Sequence, residues 1–250
     1  MIKNREKGRF METIKPAKNR IFMFLLWTYV FVFALNILNS TVLNMALQVL
    51  ATNVSTMNTV LPQIVYYLMS VLAVVWQFVS VGAICLAVSK KSVKLTLISV
   101  LLFMLAVMAH SMLPIFIAAV QYSSQSVGSL IAANADKLLS DVILNAGRAA
   151  LALGASLVFV VIAEKRKKTA ATAAVLSVGV CAVLFTLVSM GVIFFESTLP
   201  FLASAGRNAI NSQLPKILAE YIILALYGVI GYAVGALYIR IYQKTEKKAW

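Results

Sequence analysis

The stretch IFMFLLWTYVFVFALNIL, residues 21–38, contains no charged residue. A helix needs about 20 apolar residues to cross a hydrocarbon core of about 30 Å, so this run is long enough to span a bilayer. The 20 residues before it are basic, and a basic segment before an apolar run is also typical of a cleaved signal peptide. Because the run is long for that role and no small-x-small cleavage site follows, we expect an uncleaved first transmembrane helix.

Five more apolar runs follow along the chain. Backbone groups cannot stay unpaired in hydrocarbon, so such runs are expected to be helices, and the alternating segments of a β-barrel are not evident. The sequence therefore predicts an all-α fold, a polytopic integral membrane protein whose six-transmembrane-helix bundle carries amphipathic outer segments. The predicted spans are about 21–38, 62–88, 95–120, 148–164, 171–195 and 218–240.

The composition agrees with this class. Hydrophobic residues make up 62% of the 250 residues and charged residues 12%, against about 25% charged in soluble domains. The two cysteines, Cys85 and Cys181, lie inside apolar runs, where packing is a better expectation than a disulfide. A single histidine excludes a histidine-rich metal site. We predict no cofactor and no bound metal.

The charges predict the topology. Four segments, 1–20, 89–94, 164–170 and 240–250, hold 18 of the 22 basic residues and four of the eight acidic residues. The four basic and four acidic residues elsewhere cancel. The positive-inside rule therefore places 1–20, the short inner connections and the tail 241–250 in the cytoplasm, with the domain 21–240 in the membrane. We expect the cell (plasma) membrane.

The basic segments also indicate partners. They lie where anionic lipid of the cytoplasmic leaflet would attract them, so we expect lipid contact rather than nucleic acid, for which a basic soluble domain is missing. The outer connections are longer than the inner ones. Segment 126–147 has the pattern of an amphipathic helix on the outer surface or over the bundle. The third outer connection contains Pro200 and Pro215, so at most a short helix is expected there.

Polar residues within the spans are the candidates for function. They recur at helical spacing on several spans, and polar groups in hydrocarbon should face the bundle interior. Two explanations stay open: hydrogen bonding between packed helices, or the lining of a hydrated path or substrate cavity. The candidate lining residues are Asn36, Gln63, Ser70, Gln77, Ser80, Thr96, Ser99, His110, Thr186 and Ser189.

Among these residues, Gln77 and His110 are the sharpest candidates. A histidine within a membrane can relay protons or bind a ligand. His110 also precedes Pro114 by four residues, and that proline should free a backbone carbonyl near residue 110. The imidazole could simply satisfy this carbonyl. A possible Arg148–Glu220 ion pair at the outer interface would be worth at most about 1 kcal/mol.

Small residues mark two further helix faces. Glycines that recur at helical spacing let helix backbones approach closely, either within one bundle or between copies of the chain. The candidate packing glycines are Gly147 and Gly154 in the fourth span and Gly228, Gly231 and Gly235 in the sixth.

Motifs for nucleotide hydrolysis, serine hydrolases and zinc proteases are absent from the sequence, so we expect no enzymatic activity. Six spans with polar faces favour a transporter or permease, or the membrane-embedded subunit of a transport system with a separate motor protein. The short inner connections count against a motor, and only segment 1–20 is long enough to engage one. The alternative is a non-catalytic scaffold or assembly subunit that contacts other membrane subunits.

Cysteine accessibility tests this topology. We expect Lys167→Cys to react with an impermeant thiol reagent only after the membrane is opened, whereas Gly128→Cys should react in intact cells. Labelling of residues 165–170 from outside would overturn the assignment.

Overall fold

The structure, a computed structural model, describes residues 3–53, 60–121 and 126–247. These ranges are helical and contain no β-strand. Two short π-helical segments, Leu38–Leu43 and Phe194–Thr198, interrupt longer helices. The α-helices are α1 (Lys3–Ile37), α2 (Asn44–Asn53), α3 (Val60–Ser89), α4 (Val93–Gln121), α5 (Val127–Ala133), α6 (Ala135–Lys165), α7 (Ala170–Ile193), α8 (Leu199–Ser204) and α9 (Arg207–Lys247).

Six helical stretches in these ranges are long and apolar enough to cross a membrane. The all-α six-helix bundle and the multi-pass membrane class are therefore confirmed. The helices are longer than the apolar runs that define the predicted spans, because helical backbone continues into the flanking polar residues. The spanning stretches are Arg20–Leu50, Val60–Ser89, Val93–Val120, Ala135–Lys165, Ala170–Ser204 and Ala209–Glu246.

The outer segment 126–147 differs from its predicted form. Ser126 caps the short helix α5 by accepting a hydrogen bond from the Ser129 amide, and the chain turns at Asn134. From Ala135 onward the segment is continuous with α6 and its apolar part. Gly147 lies between the amphipathic part and the apolar part, and the helix continues through it. A single glycine is tolerated within a long helix.

The third outer connection also differs. Pro200 stands at the start of α8, where a missing amide proton costs little. Pro215, however, lies inside the 41-residue helix α9, so the expectation of at most a short helix is wrong. A proline removes one backbone hydrogen bond, and the remaining bonds of a long helix can sustain it across that position.

Helix α3 is the centre of the bundle and contacts α1, α4, α6, α7 and α9. The apolar window of α3 is 67% buried, whereas the windows of the other spans are 22–33% buried. Its last two turns, from Gly82 to Ser89, consist mainly of small and β-branched residues and are buried throughout. Small side chains allow several neighbours to approach one helix at once.

One end of the bundle gathers basic residues. Lys90 forms an ion pair with Glu246 at 2.8 Å, and its ammonium lies 5.1 Å from the ring centroid of Tyr242. Lys91 pairs with Glu164 at 2.5 Å. These contacts bring the α3–α4 turn, the end of α6 and the end of α9 together, an arrangement that the positive-inside alternation requires. We call this the basic end.

The candidate packing glycines divide into two groups. A Cβ atom at Gly235 would lie 2.5 Å from Val178 Cγ1, and one at Gly231 or Gly228 would overlap Phe78 or Thr186. These α9 glycines therefore lie at close contacts with α3 and α7. A Cβ atom at Gly147 or Gly154 would meet no atom within 4 Å, so these two residues make no close packing contact within the chain.

This difference predicts opposite effects of one substitution. Gly231→Ala forces the buried Phe78 ring to move, and such overpacking costs typically about 1–3 kcal/mol. Gly154→Ala adds a methyl group in open space and gains up to about 1 kcal/mol of helix propensity. We expect the thermal midpoint in detergent to fall for Gly231→Ala and to stay or rise for Gly154→Ala. Equal shifts would contradict the α3–α9 packing.

Candidate polar cavities in the bundle

Several predicted lining residues use their hydroxyl groups in hydrogen bonds to the backbone of their own helix. The hydroxyl of Ser80 donates to the Trp76 carbonyl at 2.9 Å, that of Ser70 to Tyr66 at 3.0 Å, and that of Thr96 to Ser92 at 3.0 Å. Such bonds to the preceding turn are a common way for serine and threonine to sit in membrane helices. These three residues line none of the cavities described below.

Other predicted residues hold α1 against α4. Asn36 donates through Nδ2 to the Ala106 carbonyl at 3.2 Å, and the Ser99 carbonyl accepts the Tyr29 hydroxyl at 2.6 Å. Asn36 and Ser99 are both buried. Gln63 is exposed near the start of α3. The predicted polar stripe of this helix therefore faces the bundle interior only from Gln77 onward along the chain.

His110 lies in a cavity of about 280 Å³ between α4, α5 and α6, which we call the mouth pocket. It lies toward the ends of α4 and α6 that are remote from the basic end. The Ser111 hydroxyl donates to Asp141 Oδ2 at 2.9 Å across this pocket. The pocket is lined by His110, Ser111, Pro114, Ile115, Ala118, Leu130, Asn134, Lys137, Leu138 and Asp141.

The imidazole of His110 is not satisfied by the backbone in the way expected from Pro114. Its Nδ1 atom is buried and finds no hydrogen-bond partner among the residues that the structure describes. The ring instead packs against Trp76 with centroids 5.5 Å apart, and the indole Nε1 of Trp76 is likewise without a partner there. A buried polar atom without a partner is uncommon, and the same absence recurs at Asn36 Oδ1 and Ser99 Oγ, away from the described cavities.

Gln77, Thr186 and Ser189 line a second cavity, of about 170 Å³, together with Arg148. We call it the arginine pocket. Helices α3, α6, α7 and α9 each contribute to its wall, which also includes Val74, Phe78, Phe185, Leu224, Tyr227 and Gly228. Sequence reasoning therefore found three of its polar residues but assigned Arg148 to the outer interface.

Arg148 does not pair with Glu220. Its Nη1 donates to Asn145 Oδ1 at 3.1 Å, and its guanidinium carbon lies 5.8 Å from the ring centroid of Phe185. The ion pairs of Lys90 and Lys91 lie at the basic end, and neither involves Arg148. A guanidinium has five N–H donors, and the hydrogen bond to Asn145 uses one of them.

One face of α6 connects the two cavities. Asp141, Asn145 and Arg148 follow each other at spacings of four and three residues, which places them on one side of the helix. Asn145 is buried and donates from Nδ2 to the Asp141 carbonyl at 2.8 Å while it accepts from Arg148. We call these three residues the α6 polar ladder. Their spacing was visible in the sequence, but the charges suggested a solvated outer segment.

Toward the basic end the bundle is tightly packed. Ser156 and Ser177 donate to their own helices, to Ala152 at 2.6 Å and Ala173 at 2.8 Å. Cys85 and Cys181 are free thiols that are fully buried. Within the described ranges, no cluster of three or more His, Cys, Asp or Glu side chains could hold a metal ion.

Thiol reactivity can test whether the cavities hold water. The thiolate is the reactive form and needs hydration, so methyl methanethiosulfonate should modify Ser111→Cys and Ser189→Cys readily. Ser156→Cys, at a position that is 1% exposed, should react slowly, as should native Cys85 and Cys181. A reaction at position 189 that is as slow as the one at position 156 would show that the arginine pocket is dry.

The chain matches no protein-family model, and comparisons with curated proteins and with solved structures find no match either. The assignment of a function therefore depends on the chemistry of the two pockets and of the α6 polar ladder that joins them.

Proposed function

We propose that this protein is a transporter or permease, or the membrane-embedded subunit of a transport system, and that it binds a small polar solute within the bundle. The α6 polar ladder carries the proposal. It places an aspartate, an asparagine and an arginine on one interior helix face, with a cavity at each end. A packing role alone would not require either cavity.

Free energy supports a functional reading of the ladder. Charged residues within membrane helices are costly, so they usually face a hydrated cavity and serve ions or substrates. Asp141 and Arg148 stand on α6, whereas the packed half of the bundle uses serine, alanine and cysteine. The charges are thus grouped around the two cavities rather than spread through the core.

The distribution of space supports alternating access. The two pockets lie away from the basic end, and the segment between them and that end is closed by buried residues such as Ala152 and Ser177. A transporter that opens toward one side needs such a closed half on the other. With the basic end in the cytoplasm of the plasma membrane, the pockets face outward. We propose no enzymatic step, because solute binding and passage need none.

Transport assays on proteoliposomes test the proposal. We expect flux of a small polar solute, from a panel of amino acids, carboxylates and sugars, to fall about tenfold or more in Asp141→Asn, since Asp141 lines the mouth pocket and losing a hydrogen bond to a charged group costs about 1.5–3 kcal/mol. Asp136→Asn is the matched control, because Asp136 is an exposed acid in the first turn of the same helix. Absence of flux for every solute, with and without co-purified partners, would refute transport.

A scaffold or assembly subunit is the second candidate, and one surface favours it. An apolar groove of about 600 Å³ runs between α7 and α9 on the outside of the bundle. Small residues such as Gly179, Ala182 and Ala225 line it beside the exposed Val183 and Val229. A groove of this kind can accept the transmembrane helix of another subunit.

Photo-crosslinking distinguishes the two candidates. A photoreactive residue at Val183 should capture lipid if the groove is only lipid-facing, and another membrane protein if the chain is an assembly subunit. The same probe at Leu105, an exposed apolar residue on α4, is the control. Protein capture at Val183 together with undetectable solute flux would favour the scaffold.

A further inference from the structure

We infer that the arginine pocket is a binding site for a small organic monocarboxylate. The inference deepens the proposed function by naming a substrate class, and it can also stand alone, because a binding site does not require transport. Four helices converge on the pocket, so it is part of the bundle rather than a surface depression.

The position of Arg148 makes an anion the expected occupant. Arg148 lies about 24 Å along the α6 axis from Glu164 at the basic end, at about 1.5 Å per residue, which is near the far edge of a hydrocarbon core of about 30 Å. A cation at this depth is normally accompanied by a counter-charge. The nearest acid on its helix face is Asp141, whose charge acts on Arg148 from a distance without an ion pair, because its carboxylate accepts from Ser111 in the mouth pocket.

The donors around the cavity favour a carboxylate over a spherical anion. The guanidinium presents parallel N–H groups that match the two oxygens of a carboxylate. Side chains of Gln77, Ser189 and Tyr227 also line the pocket and can donate hydrogen bonds to the same oxygens. A chloride ion would leave most of these donors unused.

The charge and the wall limit the ligand further. Arg148 is the one cationic residue in the lining, so a singly charged anion is balanced, whereas a phosphate dianion would keep an uncompensated charge. Val74, Phe78 and Leu224 supply apolar wall for a short carbon chain. At about 170 Å³ the cavity is smaller than the roughly 300–1,000 Å³ typical of drug-sized ligands, which restricts it to a few carbon atoms.

Protection of a cysteine tests the inference without a transport assay. In the Ser189→Cys protein, isobutyrate should slow modification by the neutral reagent methyl methanethiosulfonate, and isobutyramide, its uncharged isostere, should not. At a concentration about ten times the dissociation constant, occupancy should slow the reaction about tenfold, because only empty pockets react. Equal protection by acid and amide, or none by either, would overturn the inference.

Substitutions at Arg148 add a second test. In the Ser189→Cys background, Arg148→Gln should abolish protection by isobutyrate, and Arg148→Lys should retain part of it as a point charge without the fork geometry. Arg166→Gln, at an exposed arginine of the basic end, should leave protection unchanged. If the Arg148→Gln protein elutes from gel filtration as the unsubstituted protein does and isobutyrate still protects it, the site is contradicted. If the Arg148→Gln variant misfolds, the comparison of isobutyrate with isobutyramide in the Ser189→Cys protein that retains Arg148 stays decisive.

Three further outcomes separate this site from other anion sites and from transport. Protection by chloride or inorganic phosphate as strong as that by isobutyrate would overturn the carboxylate assignment. Protection by isobutyrate with no flux of any solute would keep the binding site and refute transport. Flux without protection would keep transport and refute this site.

Discussion

Hydrocarbon offers no hydrogen bonds, and this constraint organises the whole molecule. Each spanning segment must pair its own backbone groups, so the described chain is helical almost throughout. The same constraint acts on side chains. Ser80, Thr96 and Ser156 satisfy their hydroxyl groups on the preceding helical turn and can be placed anywhere in the bundle. Charged side chains have no such local solution, and they therefore gather where water or a ligand can reach them.

The bundle consequently has two halves with different chemistry. Near the basic end, small residues of α3, α6 and α7 pack closely around buried Cys85 and Cys181, and lysines on the surface pair with Glu164 and Glu246. In the other half, helix α6 carries the polar ladder between the mouth pocket and the arginine pocket. Close packing therefore fills the half near the basic end, and the two polar cavities lie in the other half.

Particular residues show how far the sequence could predict the site. Gln77, His110, Thr186 and Ser189 were identified because a polar residue in an apolar run is conspicuous. Asp141 and Arg148 were not, because Asp141 fell in the predicted amphipathic outer segment and Arg148 at the predicted start of the fourth span. Their helical spacing was a usable signal, but spacing gives only the face of a helix, and its neighbours were unknown. For the same reason, the spacing of Gly147 and Gly154 could not show that they make no close contact within the chain.

The sequence by itself determined that the chain is an all-α membrane protein with six spanning helices, because apolar length and backbone pairing follow from local composition. Its charge pattern also predicted that the inner turns share one end of the bundle, where the structure places them. Only the tertiary structure decided that α3 is central, that Pro215 lies within a helix, and that Arg148 meets Gln77 and Ser189 across four helices. Those facts depend on which helix faces meet, and contacts between distant segments are not encoded in the period of any one helix.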